Sequence, residues 1–345
     1  LIFKPLSFID FPQNYGELVS VDGIENEQVL VRMEGKTLLY NALSTIPTST
    51  GEAYLGKPLF SQQIPPMDYA DTDGGYIGTQ NKLLLKTEYG HITTDSKRGK
   101  IFLLNGRNSK DITEEYVSKF FNEFFDFEIR KAFPSINVDD TLIGVGIAGV
   151  YDSSFKRIII TKHDAFPLLP SITYSNGEFY TEGEKVLITN PLYFCNYSFT
   201  ISYSFRTQAW VAFHSYFPVG YITDANSFYS VKEDGIWKHN IKNKFNTFYG
   251  KIEPYILEHP YSFSPLDQII QNVTDYTKAL KHTDWEEYVE SDEYFDEAIL
   301  YSSQQCSGIL KLVKKPSFSN YNKYPVYNSD SKSVIYTKTD DNYRI

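Results

Sequence analysis

A mainly β fold of propeller-like antiparallel sheets with helical insertions is what this sequence predicts, on three observations. One local pattern recurs: a β-rich run breaks at a polar turn carrying Lys or Arg and resumes as a second β-rich run. It reads GHITTDSKRGKIFLL from Gly90 to Leu104, GVYDSSFKRIIITK from Gly149 to Lys162, and FTISYSFRTQAWVAFHSY from Phe199 to Tyr216. Each is a hairpin by pattern, because β-branched and aromatic residues flank a cluster of Asp, Ser, Lys, Arg or Gly that supplies the turn. The 28 Tyr and 25 Phe bring the aromatic share to 16%, a bias toward pleated, half-buried surfaces. The hairpins also start roughly 50 to 60 residues apart, close to the spacing of a four-stranded propeller blade plus an insertion.

From Val19 to Tyr40 short apolar runs alternate with turn signals at Asp22-Gly23 and Glu34-Gly35, which predicts a further β unit. Ser44 to Gly78 is rich in Pro, Thr, Ser, Gly and Asp without a sustained period, and reads as a long ordered excursion over the surface. At Asp111 the texture changes. Asp111 and Glu114 fit a capping box, and Ile112, Tyr116, Phe120 and Phe124 recur every four residues beside a second stripe of Val117, Phe121 and Phe125. The pattern predicts a helix near 111–131 whose apolar face needs burial against the sheet or a neighbouring subunit. A second helix is expected near 265–281, with Ser264 as N-cap, Pro265 at the first position and Leu266, Ile269, Ile270, Val273 and Leu280 as its buried side. Asp284 to Glu297 carries eight acidic residues and no basic one, a solvated face or a surface that repels DNA or binds a basic partner. After Lys315 the chain becomes polar and rich in Asn, Tyr and Ser, and is expected to order only against neighbouring chains. The expected organisation is an N-terminal β unit and loop over 1–65, a propeller-like β domain with its helices over 66–312, and a polar tail over 313–345.

Composition narrows the function classes. A chain of 345 residues, 41% hydrophobic, holds one large all-β domain or two ordinary ones. Its 43 acidic and 33 basic residues give a net charge of −10, so the average surface repels a nucleic-acid backbone and argues against a sequence-specific binder. Cys195 and Cys306 are too few for a disulfide framework or a four-cysteine zinc site and read as reduced core thiols. The longest apolar run, Leu142 to Val150, is far short of the ~20 residues needed to cross a bilayer, so no membrane span is expected. The opening LIFKPLSFIDFP has neither Met nor the features of a signal peptide, which points to a processed product or an excised segment.

Motifs that carry chemistry are weak here. Gly144 to Gly149 satisfies G-x-G-x-x-G, yet the residues that follow form a hairpin instead of the helix that would receive a pyrophosphate. These glycines are therefore expected to allow close backbone packing within a central strand. Asp68 to Gly75 clusters carboxylates and glycines without calcium-loop spacing and reads as a turn. His91, His163, His214, His239, His259 and His282 show no zinc-ligand spacing and are expected to be packed or surface residues. Asn196 and Asn272 lie in glycosylation sequons. There is no serine-hydrolase elbow and no P-loop, while a carboxylate pair of the glycosidase kind could come from any of the 43 acids. No catalytic, cofactor-binding or metal-binding residue is assigned.

The phrases DYADTDGGYIGTQNKLLLKTEYGHITTDSKRGKIFLL from Asp68 to Leu104, GVYDSSFKRIIITK, FTISYSFRTQAWVAFHSYFP, GIWKHN and NTFYGKIEPYILE resemble those of the tail muzzle, or stabilisation, proteins of crAss-like bacteriophages, over roughly Pro66 to Leu312. That resemblance implies a virion structural protein without catalysis, sited in the tail as a homo-oligomeric ring with other tail proteins around the genome-ejection channel. Genomic DNA would pass without specific binding. Nozzle proteins of short-tailed phages carry β-propellers, and muzzle proteins are much longer than this chain, which would then be a fragment. The alternatives are a tail-associated propeller that binds or cleaves host glycans, and an attachment module without catalysis.

Overall fold

In a computed structural model the described residues are 10–25, 28–41, 77–106, 108–114, 117–224, 227–241, 247–258, 297–301 and 306–311, together with the backbone of strands at 44–48, 51–55, 67–68, 276–277, 280–284, 287–290, 312–314, 333–339 and 342–344. The chain is mainly β, its sheets almost entirely antiparallel, and it divides into two compact units. One comprises residues 1–241 and 247–253, the other 242–246 and 254–345.

The first unit begins with an antiparallel meander of β1 (Leu18–Ile24), β2 (Gln28–Met33) and β3 (Thr37–Asn41). The turn expected at Glu34-Gly35 lies between β2 and β3. The one expected at Asp22-Gly23 does not form: Asp22 pairs with Leu30 and Gly23 with Val29, and the chain reverses after Ile24. Asp22 is satisfied within the strand, because its carboxylate accepts from Ser20 Oγ at 2.7 Å and Arg32 Nε at 3.0 Å. The excursion expected over 44–78 contains instead a hairpin of β4 (Ser44–Thr48) and β5 (Gly51–Leu55), and β6 (Met67–Asp68) pairs with β3. Strand formers such as Thr45, Ile46 and Tyr54 outweigh the turn-rich composition there.

A second sheet has the order β10-β9-β8-β7, from β7 (Leu85–Thr87), β8 (Gly90–Asp95), β9 (Lys100–Asn105) and β10 (Asn108–Asp111). Its β8–β9 pair is the first predicted hairpin, closed by a 3-10 turn at Ser96–Arg98 and by Gly99 at φ +66°. A Cβ at Gly99 would stand 2.7 Å from the carbonyl oxygen of Phe121, so glycine is required for conformation and for space. The expected helix near 111–131 is two short ones, α1 (Ser118–Phe124) and α2 (Ile129–Ala132). Asp111 ends β10, where its Oδ1 takes the backbone N–H and hydroxyl of Thr113; the residue caps a turn, not a helix. The apolar stripe is buried nonetheless: Phe121 and Phe125 are inaccessible to solvent.

The main sheet has the order β11-β12-β18-β19. β11 (Gly146–Asp152) and β12 (Arg157–His163) are the second predicted hairpin, and β18 (Phe199–Ser204) and β19 (Ala209–His214) are the third. Between them lie β13 (Ala165–Pro167), which pairs with β17 (Phe194–Asn196), and a small meander of β14 (Thr173–Ser175), β15 (Glu178–Thr181) and β16 (Glu184–Val186). All three hairpins form, but the second and third are halves of one sheet, joined where Ile160 pairs with Ile201. β11 is an edge strand by hydrogen bonding, not a central one. Gly149 still supplies the expected close approach, since a Cβ there would meet Leu83 Cδ2 at 3.1 Å and the Ile159 carbonyl at 3.2 Å.

Both faces of this sheet are covered. Ile158, Ile160 and Ile201 join Phe121, Phe125, Phe127 and Ile129 in the largest core, while Val150 and Ile159 pack with Phe228 and Tyr221. The latter come from a three-stranded sheet of β20 (Gly220–Thr223), β21 (Phe228–Lys232) and β22 (Gly235–Lys238), followed by the ribbon β23 (Thr247–Phe248) and β24 (Lys251–Ile252). Double coverage explains why β12 reads IIIT and is buried from Ile158 to His163 without alternation. From the sequence, Ile201, Tyr203, Trp210 and Phe213 of the third hairpin are expected as core or sheet-packing residues. Ile201 and Tyr203 lie in the core and Trp210 packs at its margin, whereas Phe213, on the sheet-edge strand, is 62% exposed and touches only the core's rim through Phe120.

The second unit has a five-stranded sheet ordered β25 (Tyr276–Thr277), β31 (Asn342–Arg344), β30 (Ser333–Thr339), β29 (Leu310–Lys314) and β28 (Glu297–Ala298), and a hairpin of β26 (Leu280–Asp284) and β27 (Glu287–Glu290). β29 and β30 run parallel. Most of the helix expected near 265–281 lies outside the described residues, and its end is strand, since Tyr276, Thr277 and Leu280 belong to β25 and β26. The start of the acidic segment is in the β26–β27 hairpin. The polar tail contributes β30 and β31, paired within this chain; Val334, Ile335 and Tyr336 give β30 a strand former's character that average composition conceals. Among the described residues no helix is long and apolar enough to cross a membrane.

Candidate functional site

Three buried polar networks hold the first unit together. In the first, Lys162 and Asp164 at the end of β12 are both inaccessible, with Nζ and Oδ2 2.7 Å apart. Asp164 lies just past the end of β12, two residues on from Lys162, and its carboxylate meets the ammonium on the same side. Lys162 Nζ also donates to the carbonyls of Phe124 and Asp126 at 2.7 Å, and it stands 5.0 Å over the Phe127 ring. Asp164 accepts from the backbone N–H groups of Glu128, Ile129 and Ala165 at 2.8, 3.2 and 2.9 Å. One ion pair thus closes the C-terminal end of α1 and the N-terminal end of α2. Burial pushes the Lys162 ammonium down and the Asp164 carboxyl up, each opposed by the other's charge.

The second network is centred on Arg32 of β2, which is wholly buried. Its guanidinium donates to the carbonyls of Lys82 and Leu83 at 2.6 and 2.7 Å, and to Thr93 Oγ1 and Asp22. It ties the first meander to the irregular segment before β7. Nearby Asp95 is 2% exposed and accepts from Gly78 N–H and Gln80 Nε2; burial raises its pKa despite these bonds.

The third contains the histidines. His163 Nε2 lies 2.8 Å from the Pro218 carbonyl, so it carries the proton there. Thr161 Oγ1 bonds Tyr221 OH at 2.7 Å and Thr200 Oγ1 at 2.9 Å. His239 stacks on Phe228 at 4.5 Å, and its Nε2 is 2.7 Å from Ser230 Oγ, which also bonds Tyr249 OH at 2.8 Å. Burial, aided by the charge of Arg157, holds His214 and His239 at about 4, and burial lowers His163 as well. A Ser–His contact of this kind is the beginning of a nucleophile's activation, but Ser230 is fully buried and its hydroxyl is shared with Tyr249. The arrangement fastens β20–β22 to the main sheet; it offers no reacting atom to a substrate.

Other candidates from the sequence fall as follows. Gly144 to Gly149 leads into β11, as the hairpin pattern required. Asp68 is in β6, while the rest of Asp68–Gly75, His259, Asn272 and the side chain of His282 lie outside the described residues. His91 is half-buried in β8. Asn196 is exposed at the end of β17 and its Oδ1 accepts from Ser198 N–H. Cys195 and Cys306 are free and exposed, not core thiols; Cys195 takes the outward register of β17, between buried Phe194 and the turn at Asn196.

Lys162, Asp164 and Arg32 went unassigned in the sequence. The signal for the first two was present, a Lys and an Asp on one face at the end of an otherwise apolar strand. For Arg32 the signal was a charge inside QVLVRM. Neither a family model nor a curated protein matches this chain.

Proposed function

We propose that this chain is a structural component of a short-tailed bacteriophage tail, a muzzle or nozzle subunit that sits in a ring around the genome-ejection channel and acts by assembly instead of catalysis. The phrases between Asp68 and Glu258 that resemble crAss-like muzzle proteins support the family. Successive three- and four-stranded antiparallel sheets are compatible with propeller-like blades. The observation that carries the conduit role is electrostatic: the basic side chains in the turns of the first two hairpins are each tied to a carboxylate on a chain of net charge −10. A channel wall must not grip DNA, because each neutralised phosphate adds a salt-dependent hold. An electron-microscopy map of the phage particle at side-chain resolution tests the proposal. The chain should trace into symmetric copies about the tail axis, and a position on a fibre or absence from the virion would refute it. The rival, a host-attachment propeller that binds or cleaves glycans, has Trp237 packed 5.4 Å from Tyr249 as a possible sugar platform, and hydrolysis of host capsular polysaccharide would favour it.

A further inference from the structure

Three loops leave the same end of the main sheet. β11 begins there at Gly146, opposite His163 at the end of β12, and β18 begins there at Phe199, opposite Lys162. The loop before β11 exposes Leu142 (83%), the segment after β12 exposes Leu168 and Leu169, and the segment before β18 exposes Leu187 and Leu192 (75%). These loops are neighbours in space. Phe166 pairs with Cys195, Leu168 N–H bonds the Tyr193 carbonyl at 2.8 Å, and Gly144 lies so close to Ile188 that a Cβ would stand 2.5 Å from its Cγ2. Single exposed leucines are ordinary, but five converging on one end are a patch. Two of its three segments are also free of charge, and the third, at Leu142, has Asp139 and Asp140 only at its base. Ala165 to Ile172 and Leu187 to Ser198 contain no Asp, Glu, Lys, Arg or His, in a chain whose residues are 22% charged.

We infer that this loop cluster is the surface through which one copy of the chain contacts a second copy. Two chains of net charge −10 repel over most of their surfaces, with a reach of ~8 Å at physiological salt. Contact escapes most of that penalty where charge is sparse, as over Ala165–Ile172 and Leu187–Ser198. A basic partner would gain nothing at such a patch and would settle on the acidic faces. Depletion of charge with Leu, Phe and Tyr at the centre is the composition of a protein–protein interface core. The inference deepens the tail-subunit proposal by locating a contact between copies, and rests on it only for the presence of more than one copy.

Sedimentation velocity on the purified chain, with Leu168→Asp/Leu192→Asp as the variant and Ile236→Asp on β22 as an exposed control, tests this. Wild type and control should self-associate as concentration rises, more strongly at high salt because repulsion is screened while apolar burial remains. The double variant should associate about a hundredfold more weakly or not at all, with an unchanged circular dichroism spectrum. Maleimide labelling in a Cys306→Ser background gives an independent reading: Cys195 should become protected as the chain associates. The inference is overturned by a wild type that stays monomeric at every concentration and salt, or by association that the double variant and Cys195 labelling do not report. Binding of monomeric wild type to phosphatidylcholine vesicles, lost in the double variant, would also overturn it and give the patch to a lipid surface. Failure of the tail proposal looks different, as copies that associate through this patch in a chain that no virion contains.

Discussion

Lys162 shows how a charge is made tolerable in a β core. Each of its three ammonium hydrogens has an acceptor at 2.7 Å, two of them carbonyls left over where α1 ends. Substituting Lys162→Met removes these donors and leaves Asp164 buried without its counter-charge. Denaturant unfolding should show a loss of about 3–5 kcal/mol, the usual cost of breaking a buried pair from one side. Lys162→Met with Asp164→Asn should cost clearly less than the sum of the single changes, because the Asn oxygen still accepts from the α2 amides. Strict additivity would mean the two residues do not act together. Trp210 is the second residue to probe. Its ring centroid lies 4.8 Å from Phe121 and 5.4 Å from Tyr203, and Nε1 donates to the Ile112 carbonyl at 2.8 Å. Trp210→Ala should destabilise by about 3 kcal/mol, and Trp210→Phe, which keeps the packing and loses the hydrogen bond, by about 1–2. A loss below about 1 kcal/mol for the alanine variant would show that the indole is not a packing element.

Among the elements, the β20–β22 sheet is the one whose attachment depends on protons. His214 and His239 titrate at about 4 when folded, against roughly 6.5 in an unfolded chain. Above pH 6.5 both states hold them neutral and stability is flat. As pH falls from 6.5 toward 4, the unfolded chain takes up protons that the folded one refuses. Stability is therefore lost across that window, by up to roughly 3 kcal/mol for each histidine. The groups facing this pair are Arg157, which opposes protonation, and Asp152, which favours it at His239. Asp95 and Asp164, whose carboxyls are raised, act in the opposite sense at the acid end. The melting temperature should drop steeply between pH 6.5 and about 4.5, and His239→Gln should flatten the slope; a wild-type curve flat over that range would contradict the assignment. These attachments are long-range and were invisible in the sequence. The hairpins were legible because period-two runs and turn chemistry are local, whereas the pairing of β12 with β18 joins positions such as Ile160 and Ile201 that no local pattern links. The four-residue recurrence of Phe was real too, but it overstated helix length: the chain turns at Asp126, whose Oδ1 takes the Phe127 N–H, and the amides of Glu128 and Ile129 are taken by Asp164, just past the distant strand β12.

At the scale of the whole molecule the decisive quantity is the field it presents to DNA. The basic turn residues Lys97-Arg98 and Lys156-Arg157 are the places where a cluster could have overcome a net charge of −10. Each is occupied: Lys97 pairs with Glu34, Arg98 lies 3.7 Å from Asp95, Lys156 is 2.7 Å from Glu88 and Arg157 is 2.9 Å from Asp152. The two exposed pairs, at Lys97 and Lys156, contribute little stability, but all four cancel local positive potential that would attract phosphates. To bind duplex the chain would have to release these lysines and arginines from their carboxylates and then collect enough of them to displace counterions. The isolated chain should therefore give no shifted band with duplex DNA at physiological salt, and Glu34→Gln with Glu88→Gln, which frees Lys97 and Lys156, should produce weak binding that disappears as salt is raised. Micromolar or tighter binding by the wild type, falling steeply with salt, would show that the pairs do not neutralise the turns, and would make the protein a DNA-gripping gate instead of a passive wall.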